Sequence, residues 1–239
     1  MADVNNTEDI QALEGYLEAH VSRFSGLVKV EKFGTGQSNP TYHLTANSGE
    51  YVLRAKPAGT LLKSAHQVDR EFKVMDALNH SDVPVPKMLH LAGEDNPLGR
   101  MFFVMSYLEG RIFWDPSLPE LAKSARAPIY DAMNKTLAAL HNVDVAAVGL
   151  VDFGRQGNYF ARQTDRWIKQ YNASKMEASE HMERLMAWLL DQMPDDETAT
   201  LVHGDYRLDN MIFAQDSAEV IAVLDWELST LGPPLADLA

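Results

Sequence analysis

Residues 201–210 read "LVHGDYRLDN", and "MIFA" follows at 211–214. An apolar lead-in gives way to a turn dense in polar groups, His203, Asp205, Arg207, Asp209 and Asn210, before the chain becomes apolar again. A second apolar run, "VIAVLD" (220–225), lies beyond the polar turn "QDSAE" (215–219). Two such runs around a short polar turn predict an antiparallel hairpin. Its open end sets the start of the first strand beside the end of the second, so Asn210 and Asp225 fall within roughly 5–8 Å of each other. An amide oxygen beside a carboxylate suits a hard cation such as Mg2+, which takes oxygen ligands and is often held by one or two carboxylates plus phosphate. Asp205 sits in the loop feeding the same hairpin, placed to act as a base toward a hydroxyl proton rather than as a ligand. Arg207 adds a cation where a transferring phosphoryl group needs its charge neutralised. His203 follows an apolar strand and reads as a residue that hydrogen-bonds the loop, and Asp209 as a solvated or loop-bonding carboxylate. Turn capping by Asp205 and Asn210 explains each residue singly but not their combined spacing.

Composition narrows the partners. The chain has 239 residues, 46% hydrophobic and 23% charged, enough for one large domain or two lobes with real cores. A formal net charge of −13 argues against nucleic acid or an anionic membrane as partner, because their phosphates are repelled on average. No apolar run reaches bilayer-spanning length, and the opening "MADVNNTEDI" lacks the apolar core of a secretory signal. The absence of cysteine excludes disulfides and thiolate metal sites and is compatible with a cytoplasmic address. A metal hydrolase built on His203 and Asp205 lacks a second histidine at ligand spacing. Oligomeric state has no signature in the chain.

Working back toward the N-terminus, "TEDIQALEGYLEAHVSRF" (7–24) places Ile10, Leu13, Leu17, Val21 and Phe24 at helical spacing, with Thr7 as N-cap. Short strands are expected at "LVKVEKF" (27–33), "TYHLTA" (41–46) and "YVLRA" (51–55), the last two joined by the turn "NSGE". A helix is expected from about Ser64 to Asn79, then strands at "KMLHLA" (87–92) and "RMFFVMSYL" (100–108). From Pro119 the character is helical, with a break or kink at Pro128 and further helices over 159–175 and 176–193. The fold class is therefore α+β: an antiparallel β-sheet lobe with one main helix, then a mainly helical lobe with a cleft between them. The division expected is 1–24 as an N-terminal helix, 25–108 as a nucleotide-binding lobe and 109–239 as a helical catalytic lobe, with a boundary near "LEGRIFWDP" (108–116).

The order of Asp205, a basic residue two on, Asn210 five on and then Asp225 resembles the catalytic loop of protein-kinase-like phosphotransferases. The His-Gly-Asp form at 203–205 is similar to the aminoglycoside phosphotransferase and choline kinase branch. "KPAGTLLKSAHQVDREF" (56–72), "EGRIFWDPSLP" (109–119), "HGDYRLDN" (203–210) and "VLDWELSTLG" (223–232) resemble the subgroup related to domains fused to some acyl-CoA dehydrogenases. The similarity spans roughly residues 25–239.

This resemblance implies a two-lobed protein-kinase-like fold, ATP and Mg2+ as cofactors, and a small-molecule hydroxyl acceptor, with a hydroxyacyl-CoA or hydroxy acid the better analogy than an aminoglycoside. It implies that Gly34, Gly36, Ser38 and Asn39 in "FGTGQSNPTYHL" (33–44) cradle phosphates, glycine allowing close backbone approach; a hairpin turn uses the same G-x-G. Arg54 of "YVLR" stands where relatives more often carry lysine, and Glu71 of "VDREFKVM" is its partner on the helix, with Lys56 a rival for that carboxylate. In "FFVMSYL", Met105 backs the adenine pocket while the backbone of Ser106 and Leu108 bonds the purine edge. Asn210 and Asp225 hold the metal, Asp205 is the base and Arg207 stabilises the transferring group. Glu227 has two readings, a second metal or a structural role.

Two departures stand out. Pro233 occupies a place where relatives usually carry aspartate, leaving Asp237 to brace the catalytic loop. The chain also stops at Ala239, so an incomplete helical lobe is expected. An inactive nucleotide-binding or interaction module is the alternative function. Tyr159, Trp167 and Tyr171 line an acceptor pocket or pack a core.

Overall fold

The computed structural model describes residues 7–34, 39–58, 67–155, 157–194 and 198–238. Helix α1 (Thr7–His20) precedes strands β1 (Leu27–Lys32), β2 (Thr41–Ala46) and β3 (Gly49–Ala55). Helix α2 (Val68–Leu78) follows, then β4 (Met88–Ala92) and β5 (Phe102–Ser106). The five strands form one antiparallel sheet in the order β1-β2-β3-β5-β4. Ala46 pairs with Gly49, so the β2–β3 loop is the two residues Asn47 and Ser48, with Gly49 and Glu50 already in the strand. Glycine suits that corner because Gly49 has φ +136, a conformation side chains rarely adopt.

Strand alternation divides the sheet into two faces. Tyr42, Leu44, Leu53, Ala55, Phe102 and Val104 turn outward and bury Leu13 and Leu17 of α1, with Val21 just past its end. Val52, Met88, Phe103 and Met105 turn the other way and join α2 and the helical part in a second core. That core runs through Ile129, Leu137 and Leu140 of α3 (Lys123–His141) to Leu201, Phe213, Trp226 and Leu231. Trp226 is wholly buried, its indole N–H donating to the Val223 carbonyl at 2.9 Å. Truncating such a side chain costs about 3–5 kcal/mol.

Helix α3 runs through Pro128 instead of ending there. The ring removes the bond to the Ser124 carbonyl, but Ser124 is exposed and water can serve it. Helices α4 (Tyr159–Ser174) and α5 (Glu180–Asp191) pack on each other. The second begins four residues later than its pattern predicts, because the Ser179 hydroxyl caps it by accepting the Met182 amide. Of the expected Ser64–Asn79 helix, residues 64–66 lie outside the described residues; the described helix starts at Val68. Among the described residues, no helix is long and apolar enough to cross a membrane.

The C-terminal part adds β6 (Thr200–Val202), β7 (Met211–Phe213), β8 (Val220–Val223) and β9 (Thr230–Gly232). Strands β7 and β8 form the expected hairpin, with Met211 opposite Val223. Strand β9, absent from the sequence reading, pairs antiparallel with β6. Backbone bonds tie the segments flanking β4 and β5 to the hairpin. The Val223 amide donates to the Pro84 carbonyl at 2.9 Å, and Arg111 exchanges two backbone bonds with Phe213, each 2.8 Å. Gly110 permits the second link: a Cβ there would stand 2.3 Å from Ile212 Cγ2 and 2.5 Å from the Phe213 carbonyl oxygen.

Candidate active site

Strand β6 delivers His203 into the core, fully buried. Its Nε2–H donates to the Leu224 carbonyl at 2.9 Å, and its Nδ1 accepts the Asp205 amide at 3.2 Å. A carbonyl only accepts and an amide only donates, so these two bonds select the neutral ring protonated at Nε2. Burial pushes the His203 pKa down, against the bond to Leu224 and the nearby carboxylates of Asp237, Asp225 and Asp205. The ring thereby ties the amide of Asp205 to the residue before Asp225.

Gly204 makes the loop's turn with φ +84, and a Cβ there would lie 2.7 Å from the Leu228 carbonyl oxygen. The loop's amides end on Asp237: Oδ2 accepts from the His203 N–H at 3.0 Å and Oδ1 from the Gly204 N–H at 2.7 Å. His141, at the end of α3, donates through Nε2 to the same Oδ2 at 2.9 Å. Burial raises the Asp237 pKa, but these three donors outweigh it and hold the carboxyl below its usual range. Asp237 therefore braces the loop, from a short 3-10 turn (Pro234–Asp237).

Asn210 Nδ2 donates to Asp205 twice, to the backbone carbonyl at 2.9 Å and to carboxylate Oδ2 at 3.0 Å. Both partners are acceptors, so the amide orientation is determined and Oδ1 is presented as an acceptor on its other side. The Leu224 amide donates to the Asn210 carbonyl at 2.8 Å, which extends the hairpin register and sets Asp225 one residue past Asn210's partner. Asp225 itself adopts the left-handed conformation, φ 63, which ends the strand.

That bend sends the Asp225 carboxylate to Arg54. Arg54 Nη2 donates to Asp225 Oδ1 at 2.5 Å and its Nε to Glu71 Oε2 at 2.9 Å, so one guanidinium bridges sheet, helix α2 and hairpin. Burial alone would lower the Arg54 pKa, but Glu71, Asp225 and Glu227 raise it. Glu71 is 2% exposed. Burial pushes its pKa up to about 7, opposed by Arg54 and assisted by Asp225 and Glu227. Lys56 was the rival for Glu71; the ion pair observed is that of Arg54. Asn39 is buried and donates through Nδ2 to Glu227 Oε2 at 3.3 Å, joining the loop before β2 to the hairpin's exit.

The remaining expected residues divide. Gly34 is described and open, while Gly36 and Ser38 lie outside the described residues. Arg207 is 58% exposed at its side chain and holds Asp209, Nε to Oδ1 at 2.5 Å, rather than any residue of the cleft. Met105 is buried beside Val52 and Met88, and Leu108 is half-buried. Ser106 is engaged: its amide donates to the Lys87 carbonyl at 2.9 Å and its hydroxyl accepts the Lys87 amide at 3.0 Å. Of the three aromatics proposed for an acceptor pocket, Trp167 is 57% exposed, and α4 buries none of its residues.

Two features escaped the sequence. His141 carried no motif, and only its position at the end of a helix marked it. His43, opposite Val52 on the cleft face, lays its ring against Tyr107 with centroids 4.5 Å apart. Its Nε2 is buried without a hydrogen bond, the Glu50 carboxylate standing 3.6 Å away. Strand alternation places His43 on that face, but nothing local predicts the stacking.

Asn210 Oδ1 and the Asp225 carboxylate fit a hard divalent cation by donor chemistry, both being oxygen donors at adjoining hairpin positions. Arg54 at Asp225 shows that this carboxylate attracts a cation.

Residues 29–239 match the model of the phosphotransferase enzyme family, APH. The chain belongs to that family. It is 49% identical over 229 residues to acyl-CoA dehydrogenase family member 10 of Mus musculus, covering 95% of this chain and 21% of that protein. The chain thus spans about a fifth of that relative's length. A crystal structure from Ralstonia eutropha, provisionally assigned as an aminoglycoside phosphotransferase, superposes with a TM-score of 0.87 at 46% identity, over 95% of this chain and 67% of that one. The streptomycin–ATP ternary complex of APH(2")-IIa shares the fold, with a TM-score of 0.69 at 19% identity over 99% of this chain and 76% of that one. The two-lobed kinase-like α+β fold expected from the motifs is the fold of this chain.

Proposed function

We propose that this chain is an ATP-dependent phosphotransferase that moves the γ-phosphoryl group to a hydroxyl of a small molecule. The observation that carries the reading is the meeting of Asp205 with Asn210 and of Arg54 with Asp225 across the hairpin's open end. In this reading Asp205 orients the acceptor hydroxyl and takes its proton as the oxygen attacks the γ-phosphorus. The bond to the β–γ bridging oxygen breaks, and ADP leaves. Arg54, kept charged by Glu71 and Asp225, grips phosphate oxygens, and Arg207 swings from Asp209 to the transferring group. Asn39, together with Gly34, Gly36 and Ser38, lines the phosphate side. Met105 backs the base, and the backbone of Ser106 and Leu108 meets its edge. Mg2+, held by Asn210 and Asp225, supplies neutralisation of phosphate charge.

The mouse relative's name directs the search for an acceptor toward hydroxyacyl-CoA compounds and hydroxy acids. The test is ATP consumption by the purified protein over a panel of such alcohols, with Asp205→Asn beside it. The expected result is acceptor-dependent ADP release that falls at least about 100-fold in the variant. Equal turnover by Asp205→Asn would remove the base assignment. A second reading, a nucleotide-binding module without turnover, is favoured by the cation already seated on Asp225. Calorimetry with ATP and Mg2+ followed by no turnover on any acceptor would select it.

A further inference from the structure

Helix α1 gives way to a turn with an uncommon residue at its corner. The Phe24 amide donates to the Val21 carbonyl at 3.1 Å, which makes Ser22 and Arg23 the two central residues of a four-residue turn. Arg23 takes φ 66. A turn with positive φ at its second central residue favours glycine, because a side chain there crowds the backbone. The chain holds arginine at this corner instead, and a residue kept against its backbone preference points to a use for its side chain.

Arg23 lines a pocket of about 440 Å3 together with Ser22, Lys87, Met88 and Leu89. Met88 belongs to the cleft-side core, whereas Leu89 packs against the core under α1. Alternation along the chain therefore sets the Lys87 side chain on the α1 side of the sheet, away from Arg54 and the hairpin. Strand β4 is the last strand of that sheet. The Ser106 amide reaches the Lys87 carbonyl, so Lys87 turns its polar backbone groups toward β5 and Met88 turns its own N–H and C=O to the free edge. The pocket thus gathers a guanidinium, an ammonium, a hydroxyl and a backbone N–H. Its lining holds no carboxylate, although the chain carries 34 acidic residues against 21 basic ones. The side chains of Arg23 and Lys87 make no ion pair or hydrogen bond among the described residues. Two like charges on one cavity repel, and a bound anion removes that cost.

We propose that this pocket is an anion site, separate from the cleft, that takes a phosphate-bearing small molecule. A phosphate group offers about two negative charges and three acceptor oxygens, which match two cations and two further donors better than a single carboxylate does. Arg23 presents a planar fork to two oxygens and Lys87 a point charge to the third. The volume is larger than a bare phosphate needs, and the remainder lies against Leu89 and Met88, where the group carrying the phosphate packs. This site does not rest on the nucleotide site proposed above.

The experiment titrates glycerol 3-phosphate and inorganic phosphate, by calorimetry, into wild type, Arg23→Gln, Lys87→Gln and Arg23→Gly. Lys169→Gln, on α4, is the control for loss of a distant charge. Wild type is expected to bind the ester more tightly than free phosphate. Arg23→Gln and Lys87→Gln each weaken the ester at least about 5-fold, while Lys169→Gln stays within about 2-fold of wild type. Arg23→Gly loses as much affinity as Arg23→Gln yet melts at or above the wild-type temperature, because glycine relieves the corner. That pairing of lost binding with undiminished stability separates a ligand site from a structural role. Equal affinity for the two probes overturns the ester as ligand. Unchanged affinities in Arg23→Gln and Lys87→Gln, or no binding of either probe in the millimolar range, overturns the site.

Discussion

Asn210 holds Asp205 by two bonds from one amide nitrogen, to the backbone carbonyl at 2.9 Å and to the carboxylate at 3.0 Å. The proposed base and the amide proposed to face the metal are therefore one unit: rotating Asn210 to change its oxygen's direction also releases Asp205.

Asn210→Asp replaces that donor with a second carboxylate against Asp205. Like charges raise each other's pKa. The acidic limb of the pH–rate profile is expected to move up by about one unit or more, with kcat lower by at least about 10-fold. An unshifted limb would mean that Asp205 does not govern it.

Arg54 is the only cation bonded to Glu71 among the described residues, and Glu71 is almost wholly buried. Arg54→Met leaves that carboxylate without its partner, a loss of about 3–5 kcal/mol. A fall in Tm of about 10 °C is expected. Adding Glu71→Gln recovers part of the loss, since the stranded charge is then gone.

Glu71 also carries a pH signature. Its folded pKa of about 7 lies above the ordinary 4.5, so between those values the folded state holds a proton that the unfolded state has released. Stability from this group is present below pH 4.5 and is lost as pH rises through 7. Relative to Glu71→Gln, wild type is expected to lose several degrees of Tm between about pH 5 and pH 7.5. Parallel melting curves for the two proteins across that range would contradict the shift.

Gly204→Ala meets both a left-handed backbone and the Leu228 carbonyl oxygen at 2.7 Å. It is expected to destabilise by about 1–3 kcal/mol and to disturb the amides bound by Asp237. Thermal melting measures the first effect. A reduced kcat at temperatures where the variant is fully folded measures the second.

Much of this site was legible because its signals are short-range. The hairpin could be read from two apolar runs and a polar turn; its exact register could not, for the structure sets Asn210 against Leu224 and Asp225 one residue beyond. The brace from Asp237 was likewise expected. Strand β9 was not, because "TLG" is too short for a two-residue alternation to show and its partner lies thirty positions away. Arg207 was assigned to the cleft by its place in the motif, whereas its resting side chain takes the carboxylate two residues on.

Chain spacing was enough to assemble the loop at 203–210, its hairpin and the antiparallel sheet, since hydrophobic period and turn chemistry act between near neighbours. Which charge meets which was decided by long-range packing. Arg54 and Asp225 are 171 residues apart, and Lys56 was as good a partner for Glu71 by charge alone. Alternation along β3 turns Arg54 to the cleft face, and the left-handed Asp225 completes the bridge. The Ser106–Lys87 exchange is of the same kind, because a ladder bond diverted to a hydroxyl leaves no trace in residue order.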